Sequence, residues 1–223
     1  MDSKAIKLID MVLKHESGYA NVSGDMGGET YRGITRKNFP SWSGWKIVDE
    51  NKPLKNGKII KNAELENDVR EFYYNNFYLP MKIGKIDDLL ISGHVFCHGV
   101  NAGIKNAIKL LQKAINQTYS VDIAVDGIIG NDTLKYANGD KQSELSQNLI
   151  EQRNNYYKNL VAKRPSQKKF LNGWLNRVKN TTKACSGTSM FLTSLGGDKM
   201  SIISKILKFI FDIFLFFLKK KKS

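Results

Sequence analysis

Residues His15 to Thr35 read HESGYANVSGDMGGETYRGIT, and this stretch decides how the rest of the chain is interpreted. Glu16 is four residues after Val12, so we expect it to project from the last turn of a helix with an apolar stripe. Asp25 lies nine residues further on in a glycine-rich run. Cleavage of a glycosidic bond uses a protonated acid at the leaving oxygen and a second group that assists water or the developing cation. A carboxyl beside apolar neighbours keeps its proton more readily than one in an exposed loop. The pattern therefore predicts Glu16 as the general acid, Asp25 as its ionised partner and Thr30 as a hydroxyl that orients water.

The spacing of these two carboxylates is by itself a weak signal, because a helix end followed by a solvated turn often carries two acids. The complete pattern is more specific: Glu-x-Gly-Tyr, then Asp-x-Gly-Gly-x-Thr, then Gly-Ile-Thr. It resembles the N-terminal signature of the bacterial and phage N-acetylmuramidases of glycoside hydrolase family 108. The resemblance implies that Glu16 is the catalytic acid and that Asp25 and Thr30 assist attack by water. One departure is Ser17, where the family usually has a second glycine.

The resemblance continues downstream in three blocks, which are Val100-Asn101-Ala102-Gly103, Asp126-Gly127-Ile128-Ile129-Gly130 and Gly173-Trp174-x-x-Arg177. They resemble the small helical peptidoglycan-binding module that accompanies this catalytic domain. Four residues of the signature and the first block are predicted to bind substrate: Tyr19, Tyr31, Arg32 and Asn101. Tyrosine rings offer flat faces for sugars, and Arg32 suits a carboxylate of the peptide stem. A core position for the tyrosines and a solvated position for Arg32 are the alternatives.

Helical periodicity dominates the chain. Apolar residues recur at helical spacing within residues 5–13, 62–79, 89–100, 104–115, 143–163 and 170–178, and no long strand pattern appears. We therefore predict a mainly α fold, which the resemblance narrows to a lysozyme-like helical catalytic domain followed by a small helical module. The predicted boundaries are 1–95 for the catalytic domain, 96–180 for the peptidoglycan-binding module, 181–200 for a linker and 201–223 for a hydrophobic, basic tail.

The tail is read as an amphipathic helix that associates with a membrane. Its uninterrupted apolar run, Ile213 to Leu218, is much shorter than the roughly 20 residues of a spanning helix. Lys205, Lys208 and Asp212 fall along one stripe, and four lysines at 219–222 suit acidic headgroups. Packing on a partner protein is the first alternative, and a true membrane span is the second.

Charge and composition restrict the partners. The 223 residues include 35 Lys and Arg against 21 Asp and Glu, which gives a net charge of +14 and favours polyanions such as a bacterial envelope. No nucleic-acid recognition motif accompanies this charge, so we expect no nucleic-acid partner. His94, Cys97 and His98 have a spacing that would converge on a metal, but no further ligand lies nearby in sequence. We expect neither a metal nor another cofactor, and the oligomeric state stays open.

The leading functional hypothesis is a peptidoglycan hydrolase that cleaves the β-1,4 bond between N-acetylmuramic acid and N-acetylglucosamine. The alternatives are a lytic transglycosylase, a non-catalytic peptidoglycan-binding or secretion-associated protein, and membrane disruption by the tail. Residues 1–15 contain no apolar run of signal-peptide length. We therefore expect synthesis in the bacterial cytoplasm and delivery to the wall through a holin, a virion or an injection machine.

Overall fold

The computed structural model describes residues 1–22 and 28–186, and residues 23–27 and 187–223 lie outside the described part. Met1–Thr182 form one compact unit. The described residues contain eight α-helices and three two-residue strands, so the predicted mainly α fold is confirmed. None of the helices in this part of the chain is both long and apolar enough to cross a membrane.

The N-terminal half contains α1 (Ser3–Leu13), α2 (Gly44–Glu50), α3 (Ala63–Tyr73) and α4 (Leu89–Ala102). Side chains of Asp2, Asn62 and Asp88 accept hydrogen bonds from the first turns of α1, α3 and α4. These caps satisfy backbone donors that a helix start leaves unpaired. The helix predicted after Asn62 therefore begins where its capping residue indicates.

A small antiparallel sheet follows α1. It has the order β1 (Tyr19–Ala20), β2 (Thr30–Tyr31) and β3 (Ile34–Thr35). The tight β2–β3 turn is made by Arg32 and Gly33, which both have positive φ angles of 49° and 80°. Positive φ is accessible to glycine at little cost, so this turn explains one glycine of the signature.

Two helix ends differ from the prediction. α1 ends at Leu13, so Glu16 lies in the turn beyond the helix and not in its last turn. The amides of His15 and Glu16 bond to the carbonyls three residues earlier, at 2.9 and 3.3 Å, which tightens the chain out of the α-helix. α3 ends at Tyr73 and gives way to a π-helical turn, Tyr74–Tyr78, so the α-helix does not run to Pro80.

The C-terminal half contains α5 (Ile104–Tyr119), α6 (Asn131–Ala137), α7 (Gln142–Lys163) and α8 (Leu171–Cys185), with 3-10 turns at Ile83–Lys85 and Pro165–Phe170. α4 packs against α5 and α7, and its residues from Leu90 to Gly99 are all buried. Residue 95, the predicted domain boundary, therefore falls within a continuous buried helix.

α8 extends five residues into the segment predicted as a linker from residue 181. The buried Thr181 side chain donates to the Arg177 carbonyl oxygen at 2.8 Å, which keeps this part of the helix tied to its preceding turn. The predicted membrane tail, residues 201–223, lies outside the described residues. Its structure, its membrane contact and the four predicted domain ranges therefore stay predictions.

Candidate active site

Glu16 lies in the turn after α1, where its side chain is 21% exposed. Its Oε1 atom is 3.3 Å from Nη1 of Arg177, which comes from α8. The same Nη1 donates a hydrogen bond of 2.6 Å to Oδ1 of Asn101, near the end of α4. The turn after α1, the end of α4 and α8 are far apart in sequence, and they come together around one half-buried carboxylate. Such convergence is typical of an active site.

The backbone of Gly33 lies very close to the Glu16 carboxylate. A Cβ atom at this position would lie 2.8 Å from Oε2 of Glu16 and 2.5 Å from the Tyr73 hydroxyl oxygen, closer than real Cβ contacts allow. Only glycine therefore fits this close approach at the observed backbone. Within the described residues, Oε2 itself has no hydrogen-bond partner, whereas Oε1 is held by Arg177.

Tyr73 lines the site from α3. Its hydroxyl donates to the Arg32 carbonyl oxygen at 2.8 Å, and so it fixes the β2–β3 turn above Glu16. Burial and then the negative charge of Glu16 raise the pKa of Tyr73 well above its usual value. Tyr73 therefore keeps its proton at neutral pH, and its hydroxyl stays a hydrogen-bond donor.

The two predicted helpers of Glu16 are less clearly placed. Asp25 lies outside the described residues. Thr30 lies in β2, and its hydroxyl donates to the Gly28 carbonyl oxygen at 3.3 Å. Across residues 1–22 and 28–186, no hydrogen bond joins Thr30 to Glu16. The water-orienting roles of Asp25 and Thr30 therefore stay predictions.

Three residues predicted to bind substrate have side chains that are buried or bonded to other parts of the protein: Tyr19, Tyr31 and Arg32. Tyr31 is fully buried, and its hydroxyl accepts a hydrogen bond of 3.1 Å from the Ile60 amide. Tyr19 is also buried, at 6% exposure. Arg32 donates to the Leu13 carbonyl oxygen and pairs with Glu66, both at 3.3 Å. These contacts favour structural roles, because both rings are buried and the Arg32 guanidinium is engaged by Leu13 and Glu66.

Glu29, the remaining acid of the signature, is part of an ion-pair cluster. It lies 2.5 Å from Arg36 and 2.7 Å from Lys52, and Asp49 contacts the same two cations at 2.6 and 2.7 Å. Burial raises the pKa of Glu29, but hydrogen bonds from Lys52 and Tyr19 and the charge of Arg36 outweigh it, and the net pKa is lowered. Glu29 therefore remains ionised and anchors the end of the glycine-rich segment to the chain around α2.

His94, Cys97 and His98 lie on the buried face of α4, where an arginine and a tyrosine from α7 contact the two histidines. Nη1 of the fully buried Arg153 donates to Nδ1 of His94 at 2.5 Å, and the Tyr157 hydroxyl is 3.3 Å from Nδ1 of His98. Across the part of the chain that the structure describes, no group of three His, Cys, Asp or Glu side chains is arranged to hold a metal ion. The three residues thus pack at a helix crossing.

Arg177 and Tyr73 are the site residues whose contact with Glu16 sequence reasoning did not foresee. Arg177 belongs to the Gly-Trp-x-x-Arg block, which resembles the peptidoglycan-binding module. That block was the only sequence signal that pointed to Arg177. The separation of 161 residues between Arg177 and Glu16 hides the contact from any local pattern. Nothing in the sequence distinguishes Tyr73 from the other aromatic residues of the chain.

Comparison with known proteins gives two adjacent family matches. Residues 9–103 match the family described as glycosyl hydrolase 108, and residues 106–179 match a family described as a predicted peptidoglycan domain. Among solved structures, SagA from Brucella abortus is similar to this chain with a TM-score of 0.58 and 21% identity, over 82% of this chain and 94% of SagA. This likeness supports the fold. No curated protein matches the chain.

The fold, the two matches and the half-buried carboxylate define a glycoside-hydrolase-type enzyme that has peptidoglycan as its substrate. More specifically, residues 9–103 match glycosyl hydrolase family 108, and a match to a peptidoglycan domain follows directly after this region. The family resemblance of the sequence signature is thereby confirmed.

Proposed function

We propose that this protein is an N-acetylmuramidase that hydrolyses the β-1,4 bond between N-acetylmuramic acid and N-acetylglucosamine, with Glu16 as its general acid. The observation that carries the proposal is the setting of the Glu16 carboxylate, which is half-buried between Arg177, Tyr73 and the bare Cα of Gly33. This acid belongs to the sequence signature that resembles glycoside hydrolase family 108, and it lies within the region that matches that family. A fixed, partly desolvated carboxyl at such a position suits proton donation to a leaving oxygen.

In the proposed reaction, Glu16 transfers its proton to the glycosidic oxygen as the bond from that oxygen to C1 of N-acetylmuramic acid breaks. Water adds its oxygen to C1 and returns a proton to the site, so the new muramic acid terminus is a reducing end. We assign the donated proton to Oε2, because Arg177 holds Oε1 and Oε2 faces the space that a Gly33 side chain would fill. Asp25 and Thr30 are proposed to orient the water on the basis of the family signature.

The test is an analysis of the ends that the full-length protein creates in purified peptidoglycan. Mass spectrometry of the released fragments should find reducing N-acetylmuramic acid ends. Anhydro-muramic ends would instead identify a lytic transglycosylase, and new reducing N-acetylglucosamine ends would identify cleavage of the other glycosidic bond. Sugar binding without any release would identify a non-catalytic binding protein.

We further propose that residues 201–223 contact an anionic membrane surface. The support is the sequence pattern: an apolar run too short to span a bilayer, a lysine stripe and four terminal lysines at 219–222. Two signals, one apolar and one polybasic, are what stable attachment to an interface requires.

A further inference from the structure

We propose that Arg177 is a positioning residue for Glu16, supplied to the catalytic region by the peptidoglycan domain. This inference rests on the proposed role of Glu16 as general acid. The catalytic match ends at residue 103, and Arg177 lies in the match to the peptidoglycan domain, residues 106–179. Both residues belong to the same compact unit, Met1–Thr182. The acid site is therefore complete only when both matched regions are present and packed together.

A chain of hydrogen bonds fixes Arg177 where Glu16 needs it. The Asn101 side chain donates from Nδ2 to the Cys97 carbonyl oxygen at 2.7 Å, one turn earlier in α4. That bond orients the amide, so its Oδ1 faces α8 and accepts from Nη1 of Arg177 at 2.6 Å. Nη1 then reaches Oε1 of Glu16 at 3.3 Å. The buried helix α4 thus determines the rotamer of Arg177, and Arg177 determines that of Glu16.

This arrangement gives Asn101 a different role from the predicted one. Its carbonyl oxygen and its amide nitrogen both have protein partners in the described structure, Arg177 and Cys97. Asn101 therefore acts on Glu16 through Arg177, whereas the sequence analysis placed it in direct contact with substrate. An arginine suits this bridge better than a lysine, because a planar guanidinium offers several fixed donors and a lysine ammonium is a compact point charge.

The ion pair is partly shielded from water, since the Arg177 and Glu16 side chains are 26% and 21% exposed. Such a pair is screened less than one on the open surface. The other titratable groups at this carboxylate are Tyr73 from α3 and, across the β2–β3 turn, Arg32, whose guanidinium is directed to Glu66 and the Leu13 carbonyl. Arg177 is consequently the cation whose removal changes the charge beside Glu16 most directly.

The experiment compares Arg177→Gln and Arg177→Lys with wild type in the full-length protein, using soluble peptidoglycan fragments. Lys179→Gln is the matched control, because it removes one positive charge from an exposed position two residues further along the same helix. For each protein, kcat, KM and the melting temperature are measured. Glu16→Gln is measured in parallel.

We expect Arg177→Gln to lower kcat by about 100-fold, which is the order of loss when a catalytic group is misplaced by about 1 Å. KM should stay near the wild-type value. Arg177→Lys should restore part of kcat, and Lys179→Gln should match wild type.

Three outcomes would overturn the inference while leaving Glu16→Gln inactive: a wild-type kcat in Arg177→Gln, an increased kcat, or a decrease in kcat that a lower melting temperature explains and that Arg177→Lys does not reverse. An increase would mean that the ion pair restrains the acid. Activity in Glu16→Gln itself would instead overturn the proposed role of Glu16, so the two failures are distinguishable.

Discussion

Gly33 shows how a single missing side chain shapes this site. Its φ of 80° and the 2.8 Å that would separate an added Cβ from Oε2 of Glu16 both disfavour any other residue. We predict that Gly33→Ala lowers activity at least tenfold and destabilises the fold by about 1–3 kcal/mol, because the strained backbone and the crowded carboxylate act together. Turnover and chemical denaturation measure the two effects.

Gly173→Ala is the matched control for Gly33→Ala. Gly173 lies in α8 without a positive φ, and an added Cβ would meet nothing within 4 Å. Alanine there should keep activity and slightly stabilise the helix. Equal behaviour of the two alanine variants would contradict the close approach of Gly33 to Glu16.

At the residue scale, the sequence predicts Glu16 as the acid but does not predict the contacts that its neighbours make. The signature marks Glu16 because its pattern is local and specific. Tyr31 and Arg32 belong to the same pattern, yet their side chains complete the core and the end of α1. Periodicity does not distinguish a buried tyrosine from a ligand-facing one in a two-residue strand. The Arg177 contact is invisible locally, since only the packing of α8 on the rest of the unit creates it.

At the element scale, the crossing of α4, α7 and α8 contains a buried charge without a carboxylate partner. Arg153 is fully buried, and within the described residues its Nε and Nη2 atoms have no hydrogen-bond partner. Burial and then the charge of Arg153 lower the pKa of both histidines beside it, that of His98 to about 3. Because both histidines stay neutral, they add no further positive charge beside the buried Arg153.

These lowered pKa values predict sensitivity to acid. Below about pH 6.5 the unfolded chain binds protons at His94 and His98 that the folded chain does not accept, so stability falls as the pH falls. The effect should begin near pH 6.5 and continue toward pH 3. It is best measured by chemical denaturation between pH 6.5 and 5, above the range in which carboxylates titrate.

The size of this effect should be at most about 1.4 kcal/mol per pH unit for each histidine. His98→Gln should therefore remove about half of the slope. His15→Gln is the control, because His15 is exposed in the turn after α1, and it should keep the slope. Stability that does not change over this pH window would show that His94 and His98 are accessible to protons in the folded protein.

The elements themselves were largely predictable. Apolar spacing located α1, α4, α5 and α7, and capping residues such as Asn62 and Asp88 marked their starts. Helix ends were harder, because α1 stops at Leu13 through tight backbone turns, and a π-helical turn, Tyr74–Tyr78, replaces the end of the predicted helix. Backbone hydrogen-bond choices of this kind leave little trace in apolar periodicity.

At the scale of the whole molecule, the two matched regions share one compact unit, Met1–Thr182. The buried α4 belongs to the catalytic match but packs against α5 and α7 of the peptidoglycan domain. The family resemblance of the sequence implied two helical regions, but it did not predict that the regions share a core. The ion pair between Glu16 and Arg177 is the functional consequence of this shared core.

The proposed membrane contact is tested by shortening the chain after Ser186. The removed segment contains seven lysines and two aspartates, so the shortened protein keeps most of the net charge of +14. We predict that full-length protein binds vesicles containing acidic phospholipid, binds neutral vesicles less, and is partly released by salt. The shortened protein should lose vesicle binding in a sedimentation assay and keep peptidoglycan hydrolysis. Equal binding by both would place the membrane contact elsewhere.

The account as a whole depends on Glu16, and one comparison tests it most directly: the loss of turbidity of purified peptidoglycan with wild type, Glu16→Gln and Glu71→Gln. Glu71→Gln is the control, because it makes the same exchange at an exposed position of α3. With all three proteins equally folded, we predict that wild type and Glu71→Gln clear the suspension and that Glu16→Gln is slower by at least 100-fold, within the range that general acid catalysis supplies. Clearing by Glu16→Gln at the wild-type rate would contradict the account.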